Sequence, residues 1–213
     1  MILQQEQLPK HLVLPFKSII MKNIFLILFI AISCKSFTQS NCTQYTIVPL
    51  RTFTDIPEDQ CYYEKDTNNE LPSYEGIWKG TWNGKTIYIT FKKIINQYDN
   101  IFKYNEDFLI GKFKVLDAGG NILFDNTLLP DQQAKITGGG FRKTDDKYSI
   151  RYFDRDLCGM HGFGKISFAN AAKTQLQWEY YYRDQTIFST CFFYGASSYP
   201  EPLPAQNIIL TKQ

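Results

Sequence analysis

Histidine is nearly missing from this sequence. The 213 residues carry two, and only His161 lies beyond the first 38. A single imidazole excludes two-His and three-His metal centres, HExxH zincins among them. A Ser/His/Asp triad would have to run through His161, yet no GxSxG elbow supplies its serine. Cys158-Gly159-Met160-His161 sets a thiol near that imidazole, but among four cysteines beyond residue 38 it reads as a disulfide half beside a histidine.

Other absences narrow the field further. No segment beyond a turn or two has helical periodicity, and there is no repeat or low-complexity stretch. The longest apolar core, Ile24 to Ile32, falls short of the roughly 20 residues a bilayer span needs. A charge excess is lacking as well. Of 23 Lys+Arg, four precede residue 39 (Lys10, Lys17, Lys22, Lys35), as does one of 21 acids (Glu6), leaving 19 against 20 and a net charge of −1. Nucleic acid or an anionic membrane surface is therefore not implied as a partner.

The motifs that suggest chemistry fail on inspection. Gly138-Gly139-Gly140-Phe141-Arg142-Lys143-Thr144 has Arg142 where a phosphate loop needs glycine before Lys-Thr, and no helix follows. Its glycines read as a barrel bend or bulge. Glu106-Asp107 are neighbours in a strand pattern, so their side chains point to opposite faces and cannot converge on one substrate. Asp145-Asp146 and Asp154-Arg155-Asp156 lack the spacing of a dedicated calcium loop. No catalytic residue, metal or cofactor is expected.

What is present is β-structure organised by one hairpin. Tyr74 to Lys93 reads YEGIWKGTWNGKTIYITFKK, and Asn83-Gly84 is the strongest short signal for a two-residue type I′ turn. That turn sets Trp82 opposite Lys85, Gly80 opposite Ile87, Trp78 opposite Ile89 and Gly76 opposite Phe91. Trp78, Ile87, Ile89 and Phe91 then share a buried face, opposite Lys79, Thr81, Thr86, Tyr88 and Thr90. Further strands are expected at 108–116, 121–125, 134–141, 147–153, 162–168, 174–182, 187–194 and 207–212, mostly joined by short turns. In 174–182, Leu176, Trp178, Tyr180 and Tyr182 face one way. The fold class is all-β: an antiparallel up-and-down barrel of about 8–10 strands. Closure would remove the sheet edges.

Three regions follow. Residues 1–38 form a leader whose real start is Met21: Met21-Lys22-Asn23, the apolar core Ile24 to Ile32, and Ser36-Phe37-Thr38 before cleavage at Gln39. Cys34 after Ala31-Ile32-Ser33 offers the alternative of an outer-membrane lipoprotein. Residues 39–73 form an irregular arm, with a possible strand at 45–50 and loop elsewhere, and 74–213 form the barrel. Localisation is expected to be secreted or periplasmic. There the even set Cys42, Cys61, Cys158 and Cys191 would form two disulfides. Of the three pairings four cysteines permit, Cys42–Cys61 and Cys158–Cys191 join nearer partners, the first tying the N-terminal arm.

Gly76-Ile77-Trp78 on the first barrel strand resembles the Gly-x-Trp signature of lipocalin-like barrels. In those proteins the Trp plugs the closed end and the open end often holds a small apolar ligand. There is no Thr-Asp-Tyr block, and Lys212 is the nearest substitute for the Arg that packs near that Trp. Residues 74–212 also resemble an uncharacterised family of secreted bacterial domains of unknown function, which share a GxWxGxWNGK-type start and a final IxLTK strand. The resemblance implies a lipocalin-like barrel and no assigned activity.

The aromatic surplus carries the functional expectation. Trp78, Phe113, Trp178, Tyr180 and Tyr182 are expected to face inward, as core if the barrel is filled or as the wall of a cavity for a small apolar or amphipathic ligand. The alternative is a solid barrel acting on a protein partner through loops or outer surface, with Tyr62, Tyr63 and Tyr181 as an exposed patch.

Overall fold

The structure, a computed structural model, describes residues 42, 44–57, 61–184 and 186–213. The leader, the start at Met21 and Cys34 lie outside the described residues. Two short strands lead, β1 (Thr46–Pro49) and β2 (Tyr62–Lys65). They are followed by β3 (Gly76–Trp82), β4 (Lys85–Tyr98), β5 (Asn105–Leu116) and β6 (Ile122–Asp125). The chain ends through β7 (Ile136–Phe141), β8 (Tyr148–Asp154), β9 (Met160–Phe168), β10 (Gln175–Tyr182) and β11 (Ile208–Lys212).

The hairpin at Asn83-Gly84 forms with the expected register, Trp82 to Lys85 through Gly76 to Phe91. Both turn residues have positive φ, 45° and 74°, as a type I′ turn demands. From it a meander of eight strands closes into an antiparallel barrel, in the order β3, β4, β5, β7, β8, β9, β10, β11. β11 returns to β3 through Thr211↔Lys79 and Lys212↔Trp78, and β5 meets β7 through Ile110↔Thr137 and Gly111↔Ile136. The remaining edge of β5 is covered by β2 at its start and β6 at its end. The register shift between Gly138 and Phe141 is the bulge expected of the three glycines.

Two readings of the sequence are corrected. Residues 187–194 are not a strand but a run of turns, with Cys191, Tyr194 and Ala196 N–H groups bonded to the carbonyls of Phe188, Cys191 and Phe193. β10 already has β9 and β11 as neighbours, and the Cys158–Cys191 disulfide draws the segment toward the turn before β9. The arm, read as loop past residue 50, contains β2. It lies parallel between β1 and β5, with Tyr63↔Asn105 and Glu64↔Glu106 in register. Cys42 and Cys61 are both disulfide-bonded, the state their expected pairing requires.

The barrel is filled. Trp78 and Trp178 are fully buried, and Phe113, Ile87, Ile89, Leu176 and Leu210 are buried with them. Full burial of such a side chain is worth about 1.5–3 kcal/mol before entropy is counted. Each indole also needs a partner for its N–H. Trp78 Nε1 donates to the Tyr74 carbonyl (2.7 Å) and Trp178 Nε1 to the Pro204 carbonyl (3.0 Å). Both acceptors belong to segments that cover a barrel end: the 3-10 turn Leu71–Tyr74, and the buried run Pro202-Leu203-Pro204. Tyr74 stacks on Phe168 at 4.3 Å. Lys212 Nζ lies 5.2 Å from the Trp78 ring, in the position the sequence offered for it. No helix among the described residues is long and apolar enough to cross a membrane.

Candidate functional site

The site is built where the arm meets the barrel. β2 is fixed by its inward face: Tyr63 Oη donates to Asp107 Oδ1 (2.5 Å), and the Asp66 N–H donates to Asp107 Oδ2 (3.1 Å). Lys93 Nζ then bridges the two buried carboxylates, 2.8 Å from Asp66 and 3.7 Å from Asp107. Burial alone would raise Asp66, but Lys93 and the N–H groups of Glu70 and Leu71 hold it below the usual carboxylate range. A second tie is Arg51, which makes a bidentate bond to Glu70 (2.8 and 2.7 Å) and lies 3.9 Å from the centre of the Phe141 ring.

Strand alternation sends the next residues the other way. Glu64 and Glu106 point outward, toward the loop 99–104, which Asp99 shapes by accepting the N–H groups of Ile101 (2.6 Å) and Phe102 (2.9 Å). Phe102 and Tyr104 stack there at 5.7 Å. Between this overhang and the outward faces of β8, β9 and β10 lies a cleft of about 1000 Å³. One side carries Glu64, Phe102, Tyr104, Glu106 and Phe108, and the other Arg151, Phe163, Lys165, Glu179 and Tyr181. Gly164 keeps β9 and β10 close on that side, since a Cβ there would stand 2.6 Å from the Glu179 carbonyl oxygen.

Most charges lining the cleft are already paired. Lys165 bonds Asp145 (2.8 Å) and Glu179 (3.3 Å), Glu179 also bonds Lys147, and Arg142 bonds Asp145 (2.8 Å). Glu64 and Glu106 are different: among the described residues neither carboxyl has a hydrogen bond or ion pair. Burial raises Glu64 to about 7. Glu106 is also raised to about 7, by burial first, then by Asp99 and Glu64, with Arg151 opposing. Tyr104 is raised by burial and by the same two glutamates. The arrangement is a pair of carboxyls raised by burial beside aromatic surface.

The residues singled out from the sequence lie elsewhere. Phe113, Tyr152, Tyr180 and Tyr182 form a connected cluster with centroids 5.0–6.4 Å apart, and Trp178 joins it 5.8 Å from Tyr180. Trp78 stands in a separate group with Phe168 and Tyr74. Of the five only Tyr180 touches the cleft. The Tyr180 hydroxyl is buried without a hydrogen-bond partner among the described residues, while the Tyr182 hydroxyl accepts from the Leu203 N–H at 2.8 Å. The Tyr62–Tyr63–Tyr181 patch is not assembled: Tyr63 is buried against Asp107, whereas Tyr181 is 55% exposed. His161 bonds the Gly159 carbonyl through Nδ1 (3.0 Å), and its neighbour Cys158 is bridged to Cys191. The acidic turns are engaged by cations, Asp154 and Asp156 by Lys135, and Asp146 by Arg51.

Sequence reasoning missed the Glu64–Glu106 pair. The two tyrosines at 62–63 were the available sign of a strand, but its parallel docking on β5 joins residues 42 apart and leaves no local trace. Glu106 and Asp107 do point to opposite faces, one to the cleft and one to the buried bridge.

Neither the curated proteins nor the solved structures give a match to this chain. One family model does, over residues 21–213, and by it the chain belongs to the family of unknown function DUF6705.

Proposed function

We propose that the protein is an exported, non-catalytic binding domain that takes a small amphipathic molecule with a cationic end in the flank cleft. The observation that carries this reading is the Glu64–Glu106 pair, without a bonded partner among the described residues, beside the exposed rings of Phe102, Phe163 and Tyr181 in a cleft of ligand size. The burial of the barrel interior supports the flank over the interior, because Trp78 and Trp178 are 0% exposed and Phe113 is 1% exposed. Export is supported by the Met21 leader and by cysteines held as disulfides.

Calorimetric titration with octylammonium and with octanoate tests it. Octylammonium binds the wild type, and Glu106→Gln or Phe108→Ala weakens that binding about tenfold or more, roughly the 1.4 kcal/mol of one decade. Octanoate binding as well as the amine, or neither binding, removes the reading.

A second reading has its own support. Residues 186–199 contain no charged side chain, and Phe188, Phe192 and Tyr194 are 70%, 91% and 61% exposed. This loop suits a protein-interaction module acting through its surface. Phe188→Ser with Phe192→Ser would then abolish recovery of a partner from envelope extracts while leaving octylammonium binding unchanged.

A further inference from the structure

The arm strand is attached to the barrel by very little backbone. β2 meets β5 through two residue pairs, and the second of them is Glu64↔Glu106. In parallel strands paired residues project to the same side, so the two carboxyls stand together at the cleft end of this junction. On the opposite face the Tyr63–Asp107 bond and the Lys93 bridge hold the same strand down. The junction therefore has one face that is satisfied and one that carries two acids with no hydrogen bond or ion pair among the described residues.

We propose that the Glu64–Glu106 pair is a proton-controlled latch: a proton on the pair lets β2 lie closed against β5, and full ionisation sets two like charges side by side and opens that end of the junction. This regulates the cleft assigned above as the binding site, and rests on that reading only for its consequence, not for its mechanism. No covalent step is involved; a proton leaves the pair to solvent. The surrounding charges favour the same sense. Asp99 of the overhang and Asp107 of the same strand add negative charge, Arg151 of β8 is the opposing cation, and Tyr104 of the overhang and Tyr148 of β8, both raised by burial, stay neutral.

The sign follows from linkage. Both carboxyls sit at about 7 in the closed form and return to the ordinary carboxylate range when solvated in the open form. Closure is then fully supported at acidic pH, and each pH unit between about 4.5 and 7 raises the opening constant up to about tenfold per group, with no further change above 7. Amide hydrogen exchange of the full chain, read at Tyr63 to Lys65 and Asn105 to Asp107 from pH 5 to 8.5 and corrected for intrinsic rate, tests this without any ligand. Protection falls by about tenfold or more between pH 5 and 7 in the wild type and levels off above 7; the slope is reduced to that of one group in each of Glu64→Gln and Glu106→Gln, and is nearly flat in the double variant. β9 and β10 amides serve as the folded reference. Equal pH dependence in wild type and both variants, or none in any of them, overturns the latch. That result would leave octylammonium binding at fixed pH untouched, so the two readings fail separately.

Discussion

Glu64 and Glu106 stand in register on neighbouring parallel strands, both facing the cleft and both without a bonded partner among the described residues. One residue away, the same two strands bury Tyr63 against Asp107 in a fully bonded contact. The junction is thus anchored on its inner face and frustrated on its outer one.

Lys93 is the anchor's charge. It neutralises two acids whose side chains are 0% and 2% exposed, so Lys93→Met leaves buried carboxylates uncompensated. Breaking such a bridge from one side costs about 3–5 kcal/mol, measured by urea unfolding at pH 7. Asp66 is held low, so the stability it contributes is present above its unfolded value and is lost as pH falls through the folded one. The variant's deficit therefore begins to shrink only as pH falls below about 3.9, the unfolded carboxyl's value. A deficit under about 1 kcal/mol at pH 7 would contradict the bridge's role.

The close approach of β9 and β10 predicts that Gly164→Ala is destabilising. Its new Cβ meets the Glu179 backbone oxygen, which cannot swing aside as a side chain can. Overpacking of this kind costs about 1–3 kcal/mol, and the melting temperature reports it. An unchanged melting temperature would show that the strands separate freely here.

Cys158 and Cys191 are separated by 33 residues, a span that includes β9 and β10. Closing a loop of that length restricts the unfolded chain by about 3–4 kcal/mol. Replacing both cysteines by serine should lower stability by that order in denaturant titration under oxidising conditions. Stability equal to wild type would mean that the aromatic loop 186–199 needs no tether.

Much of the barrel was legible because its signals are local. Asn83-Gly84 specifies one turn and hence one register, and Leu176, Trp178 and Tyr180 alternate as a half-buried strand must. Lys212 beside Trp78 was legible from the first and last strands together, because closure of a meander brings those two into contact. Ile187 to Tyr194 misled because β-forming residues there have no free strand edge to join and instead form turns. The candidate site was hidden for the opposite reason. Glu64 lies in a polar arm whose four-residue strand is stabilised by long-range contacts to Asp107 and Lys93, not by its own pattern. Burial at Glu64 and Glu106 exists only once β2 has docked.

The titration of these two carboxyls, followed by carbon-detected NMR and assigned with Glu64→Gln and Glu106→Gln, is the decisive measurement. The structure predicts midpoints near 7 for both, with the Glu106 midpoint falling when Glu64 is neutralised. Two independent midpoints in the ordinary range, about 4.3, would mean solvated carboxyls, a junction open to water, and no latch over the cleft.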